Sequence, residues 1–250
     1  MEKVLITGAS SGIGRSVAYY LHSLGDYKLI LVARNKDKLN SIKKELGSDV
    51  EVISMDLSIY DNCIKLHDMV KDVDILINNA GFGLFGEFID TDLDKEMKMI
   101  DTNIKALHIL TKLYLKDMVD KNKGKILNVA SIAGFMPGPL LDTYYASKNY
   151  VLRLSQSIKE ELRRNKTNVS ISVLCPGPVK TNFDDVAGVK FSLKGKSSNY
   201  VAKYAVDKLL LGKHIIIPGL GIKMLRIISK ILPDWIMVRM VYNSQKRKGI

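Results

Sequence analysis

Three side chains suited to proton transfer lie in one short stretch of the sequence, between Ser131 and Lys148. The stretch follows an apolar run at residues 125–129 that predicts a strand, and it leads into a segment with helical periodicity. Ser131 then stands at a strand end, and Tyr144 precedes Lys148 by four residues, so both lie on one face of a helix. A hydroxyl, a phenol and an ammonium that converge on one point are suited to moving a proton to or from an oxygen atom. What they act on must be bound by other parts of the chain.

The composition is that of a globular protein with a basic surface. The chain has 250 residues, of which 46% are hydrophobic, and its formal net charge is +12. This length allows one large α/β domain with a full core, or two small ones. The positive charge is compatible with a phosphate-rich cofactor, acidic lipid or nucleic acid as partner, and equally with a solvated basic surface of no specific purpose.

Metal and disulfide chemistry are not expected. Cys63 and Cys175 fall in helix-like and strand-like runs, so two buried thiols in a reducing compartment explain them best. The four histidines lack the spacing of metal ligands. The strand-like run at residues 3–7 leaves no room for a signal peptide, and no apolar run is long enough to span a membrane. We therefore predict a cytoplasmic protein without a metal site.

Short apolar runs alternate with longer segments of helical periodicity, which is typical of βαβ units and a parallel sheet. Strands are predicted at residues 3–7, 28–33, 51–54, 75–77, 125–129, 169–174 and 214–217. Helices are predicted at residues 17–24, 36–46, 61–70, 93–119, 144–164 and 200–211. Residues 1–217 are thus predicted to form one α/β domain, followed by a basic, amphipathic C-terminal extension at residues 218–250.

A glycine-rich turn follows the first predicted strand and reads Gly8-Ala9-Ser10-Ser11-Gly12-Ile13-Gly14. Glycines let the backbone approach a ligand closely, and unpaired N–H groups at a helix start attract phosphate. The GxxxGxG spacing differs from the common GxGxxG dinucleotide fingerprint, and no Gly-Lys-Ser/Thr follows, which excludes a P-loop. Taken alone, the turn is also compatible with a purely structural strand-to-helix connection.

The ends of the second and third predicted strands bear on the choice of dinucleotide. The second ends in Ala33 and Arg34, where an acid would bind the 2′-hydroxyl of an adenosine ribose. An arginine at this position can hold a 2′-phosphate, so Arg34 favours NADP over NAD unless it is only a surface arginine. The third strand is followed by Asp56 and Leu57, and the Asp56 carboxylate suits either an adenine amine or the start of a helix.

Three later parts of the sequence are also candidates for a functional role. Asn79-Ala80-Gly81 follows the fourth strand, at the sheet edge where ligands bind. Asn103 lies inside the predicted helix 93–119, where asparagine is unfavourable and suggests a satisfied polar group at a kink. The sixth strand leads into Pro176-Gly177-Pro178-Val179-Lys180-Thr181, a rigid turn that presents backbone groups and the Thr181 hydroxyl.

The roles of two segments near the C-terminal end of the sequence are not determined by their residue patterns. The stretch at residues 182–198 loses periodicity, which is typical of a lid or substrate loop, and it contains the apolar residues Phe183, Val186, Val189, Phe191 and Leu193. In the extension, apolar residues at helical spacing are interleaved with lysine and arginine up to Pro233, and a second apolar run begins at Trp235. This pattern fits a lid or dimer arm packed on protein, a peripheral contact with anionic lipid, or an extension without function.

The motifs together resemble the short-chain dehydrogenase/reductase family. The resemblance spans residues 3 to about 217 and is carried, in the expected order, by Thr7-Gly8-x-x-x-Gly12-x-Gly14, Asn79-Ala80-Gly81, Asn103, Ser131, Tyr144-x-x-x-Lys148 and Pro176-Gly177. It implies a doubly wound Rossmann fold whose seven-stranded parallel sheet has helices on both faces. It also implies hydride transfer between a nicotinamide and a carbonyl or alcohol, in a homodimer or homotetramer.

The resemblance assigns each catalytic residue a role. Tyr144 is the general acid in reduction and the general base in oxidation, and Tyr145 is excluded by the family spacing to Lys148. Lys148 and the positive charge of an oxidised nicotinamide both lower the pKa of the phenol, and Lys148 also holds the nicotinamide ribose. Ser131 donates a hydrogen bond to the substrate oxygen, and Asn103 anchors a water that relays protons. The implied cofactor-binding residues are Gly8, Ser10, Ser11, Gly12, Ile13, Gly14, Arg34, Asn35, Asp56, Leu57, Asn79, Ala80, Gly81, Tyr144, Lys148, Pro176, Gly177, Val179 and Thr181.

These implications favour an NADPH-dependent reductase of a ketone or aldehyde with a lipophilic or acyl body. Some NADP-preferring members carry a basic residue just before the second motif glycine, where this chain has Ser11. The preference for NADPH over NADH therefore rests on Arg34, supported by Ser10 or Asn35. The alternative is a non-catalytic NADP-binding redox sensor, which predicts degraded catalytic residues. Nucleic-acid binding is not expected, because the basic tail lacks aromatic interleaving and a reader motif.

Overall fold

The apolar runs form parallel strands in the structure, a computed structural model that describes residues 1–181, 187 and 195–246. The strands are β1 (Glu2–Thr7), β2 (Tyr27–Ala33), β3 (Val50–Ser54), β4 (Ile75–Asn78), β5 (Gly124–Val129), β6 (Val169–Leu174), β7 (Val179–Lys180), β8 (Lys196–Ser197) and β9 (Ile215–Ile216). Seven of them form one sheet in the order β3-β2-β1-β4-β5-β6-β9, and β7 pairs with β8 separately. The predicted seven-stranded parallel sheet is confirmed.

Helices cover both faces of this sheet. They are α1 (Gly12–Leu24), α2 (Lys36–Leu46), α3 (Tyr60–Met69), α4 (Leu93–Ile100), α5 (Leu107–Asp120), α6 (Asp142–Arg164), α7 (Ser198–Leu210), α8 (Leu220–Ile231) and α9 (Asp234–Lys246). One buried cluster joins the sheet to α1, α2 and α7, for example through Val17, Leu39 and Val206. A second cluster joins the other face to α3 and α5 through Leu66 and Leu110. Strands buried on both faces explain the nearly continuous apolar runs, and the predicted doubly wound arrangement is confirmed.

The long helix predicted over residues 93–119 is divided in the structure. Between α4 and α5 lies a π-helical turn, Asp101–Ala106, and Asn103 within it is fully buried. Such turns are rare and occur frequently at functional sites. The turn carries the Asn103 side chain to the loop that follows β4.

Residues 220–246 fold back onto the domain. Met237 and Val241 of α9 are buried with Met136, and Leu225 and Leu232 pack against this cluster. One face of the extension is therefore packed on protein. This agrees with the first of the three sequence interpretations, a lid or dimer arm that packs on protein. The predicted loop at residues 182–198 lies outside the described residues, apart from Ala187 and residues 195–198.

Three further observations concern the chemistry the fold can support. Cys63 and Cys175 are buried free thiols, as predicted. Over the described ranges, no three His, Cys, Asp or Glu side chains are grouped so that they could hold a metal ion. None of the helices in the described part of the chain is both long and apolar enough to cross a bilayer.

A buried polar network fixes α6 to the middle of the sheet. The Asn78 amide of β4 donates to Thr111 of α5 and to Asn128 of β5, both at 3.0 Å. Asn128 in turn donates to Ser155 of α6 at 3.1 Å. All four residues are buried. Because α6 also carries Tyr144 and Lys148, this network holds the proton-transfer side chains in register with the strand ends.

We expect Asn128→Ala to lower the free energy of unfolding by about 2–4 kcal/mol, because it removes one buried hydrogen-bond partner from Asn78 and one from Ser155 and leaves a cavity between them. Urea denaturation measures this change. Asn165→Ala, at the exposed C-cap of α6, is the matched control and should change stability by about 0.5 kcal/mol or less. Equal effects of the two substitutions would contradict a stabilising role for the network.

Candidate active site

A cavity of about 580 Å³ lies where the loops after β1, β2, β4, β5 and β6 meet. This is the carboxyl edge of the sheet, where ligands of such folds bind. The predicted site residues that line it are Gly8, Ser10, Ser11, Gly12, Ile13, Arg34, Asn35, Asp56, Leu57, Asn79, Ala80, Gly81, Ser131, Tyr144, Lys148, Pro176, Gly177, Val179 and Thr181. Of the predicted set, only Gly14 and Asn103 are not part of this lining.

The glycine turn is held in place by the loop after β4. The Asn79 amide donates to the carbonyl oxygens of Thr7 and Gly8, at 3.0 and 3.1 Å. The Thr7 hydroxyl accepts from the backbone N–H groups of Asn79 and Ala80, both at 3.0 Å. A Cβ on Gly14 would lie 2.5 Å from the Asn79 amide nitrogen. Gly14 is thus required by the packing of Asn79, which explains a motif glycine outside the cavity lining.

The start of α1 provides an anion site beside this turn. Its N-cap, Ser11, makes no side-chain capping hydrogen bond, and the first turn contains no acidic residue. The N–H groups of a helix start and the helix dipole then favour a negatively charged ligand. Gly12 has a φ of +55°, and a Cβ there would lie 3.2 Å from the Thr181 side chain. Glycine at position 12 therefore lets the turn adopt this backbone conformation and lie close to Thr181.

Arg34 lies at the edge of the cavity next to the start of α2. Its side chain is exposed, so its guanidinium is available to a ligand phosphate. Asn35 is the N-cap of α2, and its side-chain oxygen accepts from the Lys38 N–H at 2.8 Å. This capping role occupies the Asn35 oxygen, so the support it gives to a 2′-phosphate is limited to its amide N–H group.

Asp56 is partly committed to the turn after β3. Its carboxylate accepts from the N–H and the hydroxyl of Ser58, at 3.0 and 2.7 Å. Burial acts to raise the pKa of Asp56, but these hydrogen bonds and the charges of Lys98 and Arg34 outweigh it, and the pKa is lowered. A carboxylate that stays ionised can accept from an adenine amine, so that interpretation remains compatible with the structure. The other interpretation, an acid at a helix start, is not met, because Asp56 bonds Ser58 in the turn before α3 and the N-cap of α3 is Ile59.

Ser131 and Tyr144 meet inside the cavity. Ser131 follows β5 and caps the short 3₁₀ turn Ile132–Phe135, where its hydroxyl oxygen accepts from the Ala133 N–H at 3.2 Å. Burial raises the pKa of Tyr144 to about 12, and a hydrogen bond from Ser131 acts in the opposite direction. The phenol is thus held protonated, in the form that a general acid needs.

Lys148 is the most deeply placed charge of the site, with only 5% of its surface exposed. Its ammonium donates to the Val129 carbonyl oxygen at 3.0 Å and lies 5.7 Å from the centre of the Tyr144 ring. Burial lowers the pKa of Lys148 to about 8. The sequence-based expectation that Lys148 lowers the pKa of Tyr144 is not met in the structure of the protein alone. Burial opposes the phenolate more strongly, and the ammonium is directed to Val129.

Asn103 supports the site from behind the cavity wall. Its side chain accepts from the Phe82 N–H at 3.0 Å and donates to the Phe82 carbonyl at 2.9 Å and to Ser147 at 3.1 Å. A Cβ on Gly81 would lie 2.8 Å from the Asn103 oxygen and 3.3 Å from the Lys148 nitrogen. Both N–H groups of Asn103 are used by protein atoms, so the structure assigns it a positioning role. The water relay implied by the resemblance stays a prediction.

The far end of the cavity is formed by residues that sequence reasoning missed. They are mainly apolar: Met136, Leu141, Ile222, Leu225, Met237, Met240, Val241, Ser244 and Gln245. The helical spacing of the extension was the available signal for the residues of α8 and α9, but the sequence did not indicate which face would turn inward. Tyr145, which the spacing argument excluded from catalysis, also lines this end, and its hydroxyl accepts from Gln245 at 2.6 Å.

Gly177 links this apolar end to the strand loops. A Cβ at Gly177 would lie 2.5 Å from the terminal carbon of Ile222 on α8. The glycine of the turn after β6 therefore lets the extension approach the sheet edge. Nearby, the Ile132 N–H donates to the Pro176 carbonyl at 2.8 Å, which ties this turn to the loop that carries Ser131.

The lining residues fit a nicotinamide dinucleotide. The start of α1 suits the central phosphates, and Arg34 beyond it suits a further phosphate. At the other side stand Ser131, Tyr144 and Lys148, the groups that can exchange a proton with an oxygen. The glycines at positions 8 and 12 let the turn after β1 pack closely against Ala80 and Thr181, which also line the cavity.

Comparison with known proteins agrees with this geometry. Residues 2–188 match the family model described as short chain dehydrogenase. The human very-long-chain 3-oxoacyl-CoA reductase is 32% identical over 98% of this chain and 80% of the human protein. A short-chain dehydrogenase from Sphingobium yanoikuyae in complex with NADPH superimposes with a TM-score of 0.81 at 27% identity, covering 93% of this chain and 97% of that one.

A short chain dehydrogenase/reductase from Burkholderia phymatum in complex with NAD gives a TM-score of 0.82 at 25% identity, over 90% of this chain and 91% of that one. Similar structures thus contain either nicotinamide dinucleotide. The family model covers most of the chain, and the motifs, the sheet order and the cavity agree with it. The chain belongs to the short-chain dehydrogenase/reductase family and is an oxidoreductase that acts on alcohol or carbonyl groups with a nicotinamide dinucleotide.

Proposed function

We propose that this protein is an NADPH-dependent reductase of a ketone or aldehyde with a lipophilic or acyl body. The observation that carries the proposal is one cavity that joins a phosphate-attracting helix start and Arg34 to the buried Ser131 and Lys148 and the half-buried Tyr144. No step of the proposed reaction needs a residue outside this cavity.

The nicotinamide, when bound, supplies the hydride that reduces the carbonyl carbon. Tyr144 gives its phenolic proton to the carbonyl oxygen, and Ser131 donates a hydrogen bond to the same oxygen as negative charge develops on it. The phenolate left on Tyr144 is stabilised by the Lys148 ammonium in surroundings of low dielectric, where such an attraction is strong. Lys148 therefore acts in the charged form, which its pKa of about 8 provides near neutrality.

The choice of NADPH rests on Arg34. An exposed guanidinium beside the start of α2 can bind a 2′-phosphate through two parallel hydrogen bonds, whereas a 2′-hydroxyl gains little from it. The strand end holds Ala33 in place of the acid that would select NAD. An NADPH complex among the similar structures supports the proposal, and an NAD complex among them makes the direct measurement necessary.

The lipophilic substrate is proposed from the far end of the cavity. Leucine, methionine, isoleucine and valine side chains from the loop after β5 and from α8 and α9 form most of this wall. Apolar walls bind an apolar body and exclude water from the reacting carbonyl. A relative that spans 98% of this chain carries the name very-long-chain 3-oxoacyl-CoA reductase, which supports an acyl chain as that body.

We further propose a cytoplasmic homodimer or homotetramer, as the family resemblance implies. The competing function, a redox sensor without turnover, is disfavoured by the observation that Ser131, Tyr144 and Lys148 all line one cavity. A sensor would bind NADPH without oxidising it in the presence of any ketone, aldehyde or 3-oxoacyl thioester. A screen of NADPH consumption over those three classes separates the two functions.

We expect Tyr144→Phe to lower kcat by roughly 10²- to 10⁴-fold, because it removes the proton donor and keeps the ring. NADPH binding, measured by fluorescence titration, should stay within about threefold. Tyr145→Phe is the matched control, since it removes a phenol hydroxyl from the neighbouring position and should leave proton transfer intact. Full activity of Tyr144→Phe would show that another group supplies the proton.

Arg34→Ala should lower kcat/KM for NADPH by roughly 10- to 100-fold and change kcat/KM for NADH little, since a charge-assisted hydrogen bond contributes about 1.5–3 kcal/mol. Arg15→Ala is the control, because Arg15 is exposed, pairs with Glu45 at 3.6 Å and does not line the cavity. Initial rates measured with NADPH and with NADH test this expectation. A preference for NADH that Arg34→Ala leaves unchanged would contradict the cofactor proposal.

The pKa of Lys148 predicts the pH dependence. Because burial lowers it to about 8, the ammonium is present below that pH and is lost as the pH rises through it. We therefore expect kcat/KM for NADPH, which reports the free enzyme, to fall above about pH 8. In Lys148→Arg, whose guanidinium stays charged, the fall should disappear from this range. A fall that persists unchanged in this variant would assign the titration to a different group.

A further inference from the structure

The outer face of α8 presents an apolar stripe to solvent. Leu220, Met224, Ile227 and Ile231 follow one another at helical spacing and are 58–78% exposed. Four residues further along the chain, Trp235 is 62% exposed. These five residues are called the outer stripe below. Large apolar side chains contiguous on a surface mark a site of interaction.

The outer stripe is not the face that holds α8 on the protein. The opposite side of the helix carries Ile222 and Leu225, which line the catalytic cavity and pack against buried clusters. A helix that only covers a domain needs one apolar face. A second apolar face, exposed among the described residues, is available for contact with a partner.

A basic cleft runs along one side of the outer stripe. It has a volume of about 610 Å³ and lies between α7, β9 and α8. Among the described residues, the charged ones that line it are Lys208, Lys213, Lys223, Arg226 and Lys230, and none of the lining residues is acidic. Within the described residues, none of these five cations forms an ion pair.

The stripe and the cleft are one continuous surface. Lys223, Arg226 and Lys230 lie at positions i, i+3 and i+7 of α8, on the flank of the stripe. Ile227 belongs to the stripe and also lines the cleft. An apolar face bordered by cations is the pattern of a helix that lies in the interface of an anionic membrane. Trp235, with the Arg239 guanidinium 5.3 Å above its ring, adds the kind of residue that is enriched at that interface.

We propose that the outer stripe and the basic cleft form a docking surface for an anionic lipid bilayer. The stripe enters the boundary between headgroups and acyl chains, and the cleft binds headgroup phosphates. This docking does not depend on the proposed reaction. A second copy of the chain is a poorer occupant, because a symmetric contact would bring two such cation clusters together. A soluble phosphate ester would leave the stripe exposed.

The test uses the full-length protein and its single tryptophan, Trp235. Vesicles of phosphatidylcholine alone are compared with vesicles that also contain phosphatidylglycerol. We expect the protein to sediment with the anionic vesicles only and to be released as the salt concentration rises. Trp235 emission should shift to shorter wavelength on binding, since its ring leaves water.

Two double variants test the basic cleft and the outer stripe separately. Lys223→Glu with Lys230→Glu should weaken binding to anionic vesicles by at least about tenfold, and Leu220→Ser with Ile231→Ser should reduce the shift in emission. Lys43→Glu with Lys44→Glu is the charge-matched control on α2, at the opposite edge of the sheet. In the absence of vesicles, all three double variants should oxidise NADPH with a soluble ketone at the unmodified rate, or, if no such substrate is found, unfold at the unmodified urea concentration.

Four results would overturn the proposal. One is equal binding to neutral and anionic vesicles, which removes the cleft from the interaction. The second is the absence of vesicle binding. The third is light scattering that shows a dimer dissociated by Leu220→Ser with Ile231→Ser, which assigns the stripe to a second copy. The fourth is thermal stabilisation by inorganic phosphate, lost in the lysine double variant, without vesicle binding, which assigns the cleft to a soluble anion.

Discussion

The burial of the Lys148 ammonium is the constraint on which the site depends. An ammonium with 5% of its surface exposed must find partners within the protein, and the Val129 carbonyl at the end of β5 supplies one at 3.0 Å. The contact fixes α6 against the strand end, and it therefore fixes Tyr144 one turn earlier. The space around the nitrogen is shaped by Gly81 and by Asn103 in the π-helical turn. Removing a partner from such a charge costs far more than the contact contributes in water.

The same cavity joins two environments that no single element provides. On one side, the turn after β1 offers backbone N–H groups and the side chains of Ser10 and Ser11, and the Asn79 amide holds this turn in place. On the other side, α8 and α9 supply apolar side chains, and Gly177 permits the approach of Ile222. A charged cofactor and a lipophilic body can therefore lie in one space. The extension serves both the cavity and the outer surface, because α8 is apolar on two faces.

Much of the fold followed from the sequence, because strands buried on both faces must be continuous apolar runs and their order along the chain is local information. The motif residues were also readable, since spacing on a helix or at a strand end is set by local geometry. Two assignments needed the structure. Gly14 supports Asn79 rather than lining the cavity, and Asn103 holds the Phe82 backbone. Both depend on contacts between residues far apart in sequence, which spacing does not contain.

The pKa of Tyr144 shows most clearly what could not be predicted from the sequence. Lys148 and the charge of an oxidised nicotinamide were expected to lower this pKa, whereas in the protein alone burial raises it to about 12, because desolvation depends on everything packed around the phenol. The sequence by itself determined the fold class, the family and the residues that can exchange a proton or hold a phosphate. Only the tertiary structure decided which face of the extension lines the cavity, which faces solvent, and how strongly each charge is buried. Those properties arise from packing between distant segments.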